Sequence, residues 1–175
     1  MQLQIIRQVI TNALAQKVWH IVAHQFDTIG QWASAISHSQ ALTDTPAPNE
    51  APVAGRICST SIPGFSSVRE TFIYYDEPAM RFAYAASTEK PSFIARAENH
   101  WTVRPINAEQ TLVEARAELA LRLFPGLFLL PLLRFQLKRA TATVFEELKY
   151  YIEHNQPHPR KLQTQRTIAE KLSTH

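Results

Sequence analysis

The 175-residue sequence predicts an α+β fold in which a curved antiparallel β-sheet of about seven strands wraps around one long C-terminal α-helix. Two patterns carry this expectation. From Val53 to Leu121, short β-type segments follow one another with turn signals between them, a spacing that suits a meander of hairpins. After them a single apolar stripe, Leu133, Leu137, Ala140, Val144, Leu148 and Tyr151, recurs in steps of three and four. A sheet accompanied by one long amphipathic helix buries its apolar face by curling around that helix.

Taken in order, Leu3 to Ile10 are rich in Ile and Val and read as a first strand. Asn12 can cap a helix that carries Val18, Trp19, Val22 and Phe26 at helical spacing. A second short helix is expected over Ile29 to Ile36, with Trp32 and Ile36 four residues apart. "SQALTDTPAPNEAP" then reads as an extended segment and a Pro-rich loop. The remaining strands are "VAGRICSTSI", "SVRETFIYYD", "MRFAYAAS", "FIARAENHWTV" and "TLVEARAELAL", with turns at Pro63-Gly64, Glu77-Pro78, "TEKPS" and "RPINAEQ".

Between Arg122 and Arg134 lie eleven residues without a polar side chain, interrupted by Pro125-Gly126 and Pro131. They would make roughly 16 Å of helix against about 30 Å of hydrocarbon, so they do not cross a bilayer. Pro125-Gly126 is expected to turn the chain out of the last strand, and Pro131 to sit in the first turn of the long helix. That helix should reach about His154, with Arg134, Lys138, Arg139, Glu146, Glu147 and Lys149 on its solvated face. Residues 1–154 form the expected domain and 155–175 a polar, weakly structured tail.

Composition narrows the function. A hydrophobic fraction of 45% and a charged fraction of 19% suit one globular domain with a core of its own. The net charge of +3 is mild, and no Arg/Lys stripe is interleaved with aromatics, so nucleic acid is not an expected partner. The lone Cys58 cannot form an intrachain disulfide, and "MQLQIIRQVI" lacks the features of a secretory signal. The chain therefore reads as cytoplasmic. Arg122, Arg134, Lys138 and Arg139 rim the apolar run, which leaves peripheral contact with an anionic membrane through 124–139 open. The seven histidines are scattered and show no pair at ligand spacing with a third donor, so neither a metal nor a cofactor is expected. The oligomeric state is not legible.

Alternation assigns the sheet faces. Arg96, Glu98, His100 and Thr102 fall on one side of the sixth strand, and Ala97, Asn99, Trp101 and Val103 on the other. The polar set needs water, so the second set faces inward, and His100 is a surface histidine rather than a base. By the same reasoning Phe82 and Tyr84 point inward, opposite Arg81. In the fourth strand Glu70, Phe72 and Tyr74 are taken as inward, because Arg69 is the costlier group to bury. An inward Glu70 needs either a partner, for which Arg56 is at hand, or a ligand.

The order of these elements, with "VWHIVAHQFDTIGQWASAIS", "AGRI", "RETFIYYDEP", "NHWTVRP", "LVEARAELAL" and "FEELKYYIE", resembles the START-like (Bet v 1-like, SRPBCC) superfamily, in its polyketide cyclase/dehydrase branch. The resemblance implies a helix-grip fold with a cavity between sheet and long helix for an apolar small molecule. Combined with the face assignments, it makes Trp32, Glu70, Phe72, Tyr74, Phe82 and Tyr84 candidate ligand-binding residues. Asn99, Trp101, Phe128, Leu133, Leu137 and Val144 complete the set. The favoured reading is a carrier or sensor of a lipid-like, isoprenoid, quinone or polycyclic molecule. An enzyme of the cyclase/dehydratase kind is the alternative, with Glu70, Tyr74 and Tyr84 as acid/base groups. A protein-interaction module of the co-chaperone or ribosome-associated type is the second alternative, since one fold hosts many functions.

Overall fold

The computed structural model describes residues 2–60, 66–88 and 94–173, with 123–129 and 171–173 described as backbone alone. The chain begins with β1 (Gln2–Thr11) and α1 (Ala15–Trp19), which runs into one π-helical turn (His20–His24) and a 3-10 turn (Phe26–Gln31). Six strands follow: β2 (Ile36–Ala41), β3 (Gly55–Thr60), β4 (Ser67–Asp76), β5 (Arg81–Ser87), β6 (Ile94–Pro105) and β7 (Thr111–Leu121). Two helices, α2 (Leu123–His154) and α3 (Pro159–Ser173), complete it. The sheet has the order β1-β7-β6-β5-β4-β3-β2, every neighbour antiparallel. It is a meander whose first strand returns to pair with the last, curved around α2 in the helix-grip arrangement.

The alternation in β7 is strict: Thr111, Val113, Ala115, Ala117, Leu119 and Leu121 are buried, and the residues between them are half-buried. Several local expectations differ from the structure. Asn12 does not cap the first helix; Leu14 occupies that position, while the Asn12 side-chain oxygen accepts from Gln110 Nε2 at 3.1 Å. The Asn12 N–H is taken by the Glu153 carboxylate at 2.8 Å, which keeps it out of a helical turn. The second short helix is instead the 3-10 turn, because Ile36 already pairs with Thr60 in the sheet.

α2 begins eight residues before Pro131, so Pro125-Gly126 is not a turn out of the strand but part of the helix start. Pro125 is tolerated there because the first four N–H groups of a helix have no intrahelical acceptor. Pro131 lies inside the helix, where its ring removes one i→i−4 bond. The turn signals at Pro63-Gly64 and at 89–92 lie outside the described residues.

The polar segment after His154 is helical over Pro159–Ser173, and the first turn of α3 is docked while most of the residues after it are exposed. Lys161 is buried and donates from Nζ to the Ile36 carbonyl at 2.6 Å. Arg160 reaches back to both Glu147 and Glu146, at 3.0 and 3.1 Å. This corrects the placement of Glu147 on the solvated face: it is 0% exposed, and its other oxygen accepts the Ser34 N–H at 2.8 Å. Among the described residues no helix is long and apolar enough to cross a membrane.

Candidate ligand-binding face

Two side-chain clusters fill the space between sheet and α2. The larger is rich in aromatics, with Trp19, Phe26, Trp32, Phe72, Tyr75, Phe82, Tyr84 and Phe145 buried together with Leu148 and Ile152. The smaller is aliphatic: Leu3, Ile5, Leu119 and Leu121 are buried, with half-buried Ile94, Ala97, Leu130, Leu133 and Leu137 against them. The expected ligand residues therefore divide. Trp32, Phe72, Phe82 and Tyr84 belong to the aromatic end, with half-buried Trp101 and Val144 packed on it. Leu133 and Leu137 belong to the aliphatic end. Asn99 is half-buried and pairs in register with Tyr84 on one side and Ala117 on the other. Phe128 lies outside the residues whose side chains are described.

Tyr74 is the clear departure. A β-bulge interrupts the β4–β5 register between Phe72 and Tyr74, so one extra residue shifts the alternation. Beyond it Tyr74 is 45% exposed and bonds to Asp76, while Tyr75 turns inward at 3% exposure. Period-two counting has no means of detecting a bulge, and it assigned the wrong tyrosine to the core. Ile73, outward by the simple alternation, is exposed as expected.

The rings of the aromatic end interlock. Phe82 stacks on Trp101 with centroids 5.9 Å apart and planes 8° apart, and Trp101 in turn lies 5.4 Å from Phe145 of α2. Phe26 packs 4.4 Å from Phe72 and 5.2 Å from Tyr84. Free volume bordered by Phe26, Trp32, Arg56, Phe82, Tyr84 and Trp101 amounts to about 20 Å³. That is room for about one water molecule.

One ion pair is buried in this end. Arg56 is 5% exposed and donates from Nε to Glu70 Oε2 at 2.5 Å and from Nη1 to the Phe26 carbonyl at 2.5 Å. Its guanidinium carbon sits 3.8 Å from the Phe26 ring centroid and 5.7 Å from that of Tyr84. Arg56 and Glu70 face each other across the β3–β4 pair, so strand register brings them together. Burial, with the nearby Glu70 charge adding to it, pushes the Tyr84 hydroxyl well above the usual phenol range. Burial likewise pushes the Cys58 thiol up to about 11, away from the thiolate a nucleophile needs.

The aliphatic end is looser. On the concave side Ala97, Asn99, Leu133, Leu137 and Thr141 are only half-buried. Across the helix from this packed stripe, Leu132 and Phe135 are 54% and 64% exposed. They stand among exposed Arg134, Lys138 and Arg139, and the chain carries no acidic residue between Glu118 and Glu146.

A curved meander gripping a long helix, with an apolar inner face and few inward polar groups, defines a START-like ligand-binding domain. The chain belongs to the polyketide cyclase/dehydrase and lipid transport family, whose profile matches residues 3–153. Solved structures agree on the fold. A START superfamily protein from Mycobacterium smegmatis is 16% identical, covers 85% of this chain and 96% of its own, and has a TM-score of 0.67. A Thermobifida fusca protein is 19% identical, with 89% and 99% covered and a TM-score of 0.62. Norcoclaurine synthase from Thalictrum flavum, solved with dopamine and hydroxybenzaldehyde, is 16% identical, with 88% of each chain covered and a TM-score of 0.60. No curated protein matches this chain by sequence.

Proposed function

We propose that this protein binds a hydrophobic small molecule, lipid-like, isoprenoid, quinone or polycyclic, and acts as its carrier or sensor. The observation that carries the reading is the contrast in packing along α2. The pocket at the aromatic end has about 20 Å³ to spare, while Leu133 and Leu137 pack with Ala97 in the aliphatic cluster, all three half-buried. An elongated apolar guest would enter at the aliphatic end, where small strand side chains leave the concave face shallow. Asn99 would be the polar group that orients it.

The Arg56–Glu70 pair favours carrier over enzyme. The Glu70 carboxylate is already engaged by a buried guanidinium, and burial holds Tyr84 as a neutral phenol rather than the phenolate a base would need. Loading would take place at a membrane surface. The exposed Leu132 and Phe135 supply apolar contact, and Arg134, Lys138 and Arg139 supply attraction to anionic headgroups, about 1 kcal/mol per basic residue near such a surface.

Native mass spectrometry of protein purified without detergent tests the binding reading: a retained apolar molecule is expected. Repeated recovery of empty protein that takes up no hydrophobic probe dye would sink it. Turnover of a cyclisable substrate that is lost in Glu70→Gln would favour the enzyme instead. Vesicles containing phosphatidylserine should pellet the wild type and release Phe135→Ala/Arg139→Glu; equal pelleting removes the membrane step.

A further inference from the structure

A second feature lies away from the grip. His20 and His24 stand four residues apart on the π-helical turn, which is closed by the Gln25 N–H bonding to the His20 carbonyl at 2.9 Å. Their Nδ1 atoms face each other at 3.4 Å, with the rings at 80°. This is long for a hydrogen bond between two nitrogens. It matches the edge of a coordination tetrahedron, since two bonds of about 2.0–2.1 Å from a zinc ion put their nitrogens roughly 3.3–3.4 Å apart. Single π-helical turns also recur at functional positions.

The far side of His24 is held as metal-binding histidines are. Its Nε2 lies 2.9 and 3.0 Å from the two oxygens of Glu77, and Glu77 in turn accepts the hydroxyl of Tyr75. An ionised carboxylate only accepts, so Nε2 carries a proton, which leaves Nδ1, on the side facing His20, as the nitrogen free to ligate a metal. A carboxylate behind the outer nitrogen fixes the tautomer and the ring plane of a ligating histidine. Tyr75 occupies this position because the β4 bulge turns it inward, where it also packs on Trp19.

We propose that His20 and His24 form a two-histidine site, through their Nδ1 atoms, for a late first-row divalent ion such as Zn²⁺, with water completing the coordination. Glu77 and Tyr75 are its positioning residues. Imidazole nitrogens suit zinc, copper and nickel over magnesium or calcium. Among the described residues, neither histidine nor Glu77 pairs with an arginine or lysine that would repel a cation. The other donor group, Glu98, His100 and Glu118 on the outer sheet face, differs in this respect: Arg96 and Arg116 lie 3.3 and 3.0 Å from its carboxylates. An ion at His20 and His24 would tie the π turn, through Glu77, to the β4–β5 turn. The proposal is independent of what the concave face binds.

Zinc titration of the full chain by calorimetry tests it. One ion per chain is expected, weakened at least tenfold in His20→Ala and in His24→Ala, and by about 10–100-fold in Glu77→Gln. His100→Ala should bind like the wild type. Both histidines are exposed, so melting curves without metal should overlay and separate lost binding from lost folding. Cu²⁺ loaded at one equivalent should show two nitrogen ligands by electron paramagnetic resonance. Wild-type binding no tighter than that of the double His20→Ala/His24→Ala variant, loss of binding in His100→Ala, or a copper signal with fewer than two nitrogens would overturn the proposal.

Discussion

The two ends of the space between sheet and helix are built from different materials and differ in what they can yield. At the aromatic end, rings from β4, β5, β6 and α2 stack on one another around a buried Arg56, and almost nothing can move without opening a void. At the aliphatic end, leucines of α2 rest on β1 and β7 and stay half-buried, while the same helix turns Leu132 and Phe135 to solvent. One helix thus serves as a core element over its C-terminal half and as an amphiphilic edge over its N-terminal half. Ring packing is concentrated at one end, and the proposed guest would sit at the other.

The largest test of this contrast is the buried charge. Glu70→Leu strands the Arg56 guanidinium among rings and should cost about 3–5 kcal/mol by denaturant unfolding, with Arg56→Met added to it restoring most of the loss. A Glu70→Leu protein as stable as the wild type would mean that the pair is not buried in solution. Next in size, Phe82→Ala removes a ring touching five others and should cost about 3–5 kcal/mol, whereas half-buried Leu137→Ala should cost about 1–2. Equal losses in the two would erase the distinction between the ends.

The bulge predicts a split between neighbours. Tyr75→Ala should destabilise by more than about 2 kcal/mol, and Tyr74→Ala by less than about 0.5, because only the former leaves a hole in the core. The reverse ranking would put the register break elsewhere. The smallest effect concerns α3. Burial lowers the Lys161 pKa below its unfolded value of 10.5, against the partial compensation of Glu147. The unfolded chain therefore binds more protons in the window just below 10.5, and this residue's contribution to stability rises with pH there. Stability curves from pH 8 to 10 should be flatter in Lys161→Met than in the wild type; parallel curves would show that Lys161 does not dock.

Much of the fold was legible because it rests on periodicity. The alternation of β7 and the inward set Ala97, Asn99, Trp101 and Val103 follow from side chains that must choose between water and core. The candidate site was less legible. Arg56 was named only as a partner for Glu70, yet register makes it the best-buried cation of the aromatic end. Tyr75 was hidden by the bulge, since a one-residue insertion reverses every later assignment and leaves no mark in the residue pattern. Glu147 looked like any solvated glutamate, because its partners Ser34 and Arg160 are 113 and 13 residues away.

By itself, then, the sequence determined the order of the strands and the long helix they grip, properties carried by local pattern, and its strings resemble the family to which the chain belongs. Tertiary structure alone decided which tyrosine points inward, that the first turn of α3 docks, and that the helix starts eight residues before Pro131. It also decided that two histidines on one turn face each other in front of a glutamate from another hairpin. These depend on distances between residues far apart in the chain, which periodicity does not encode.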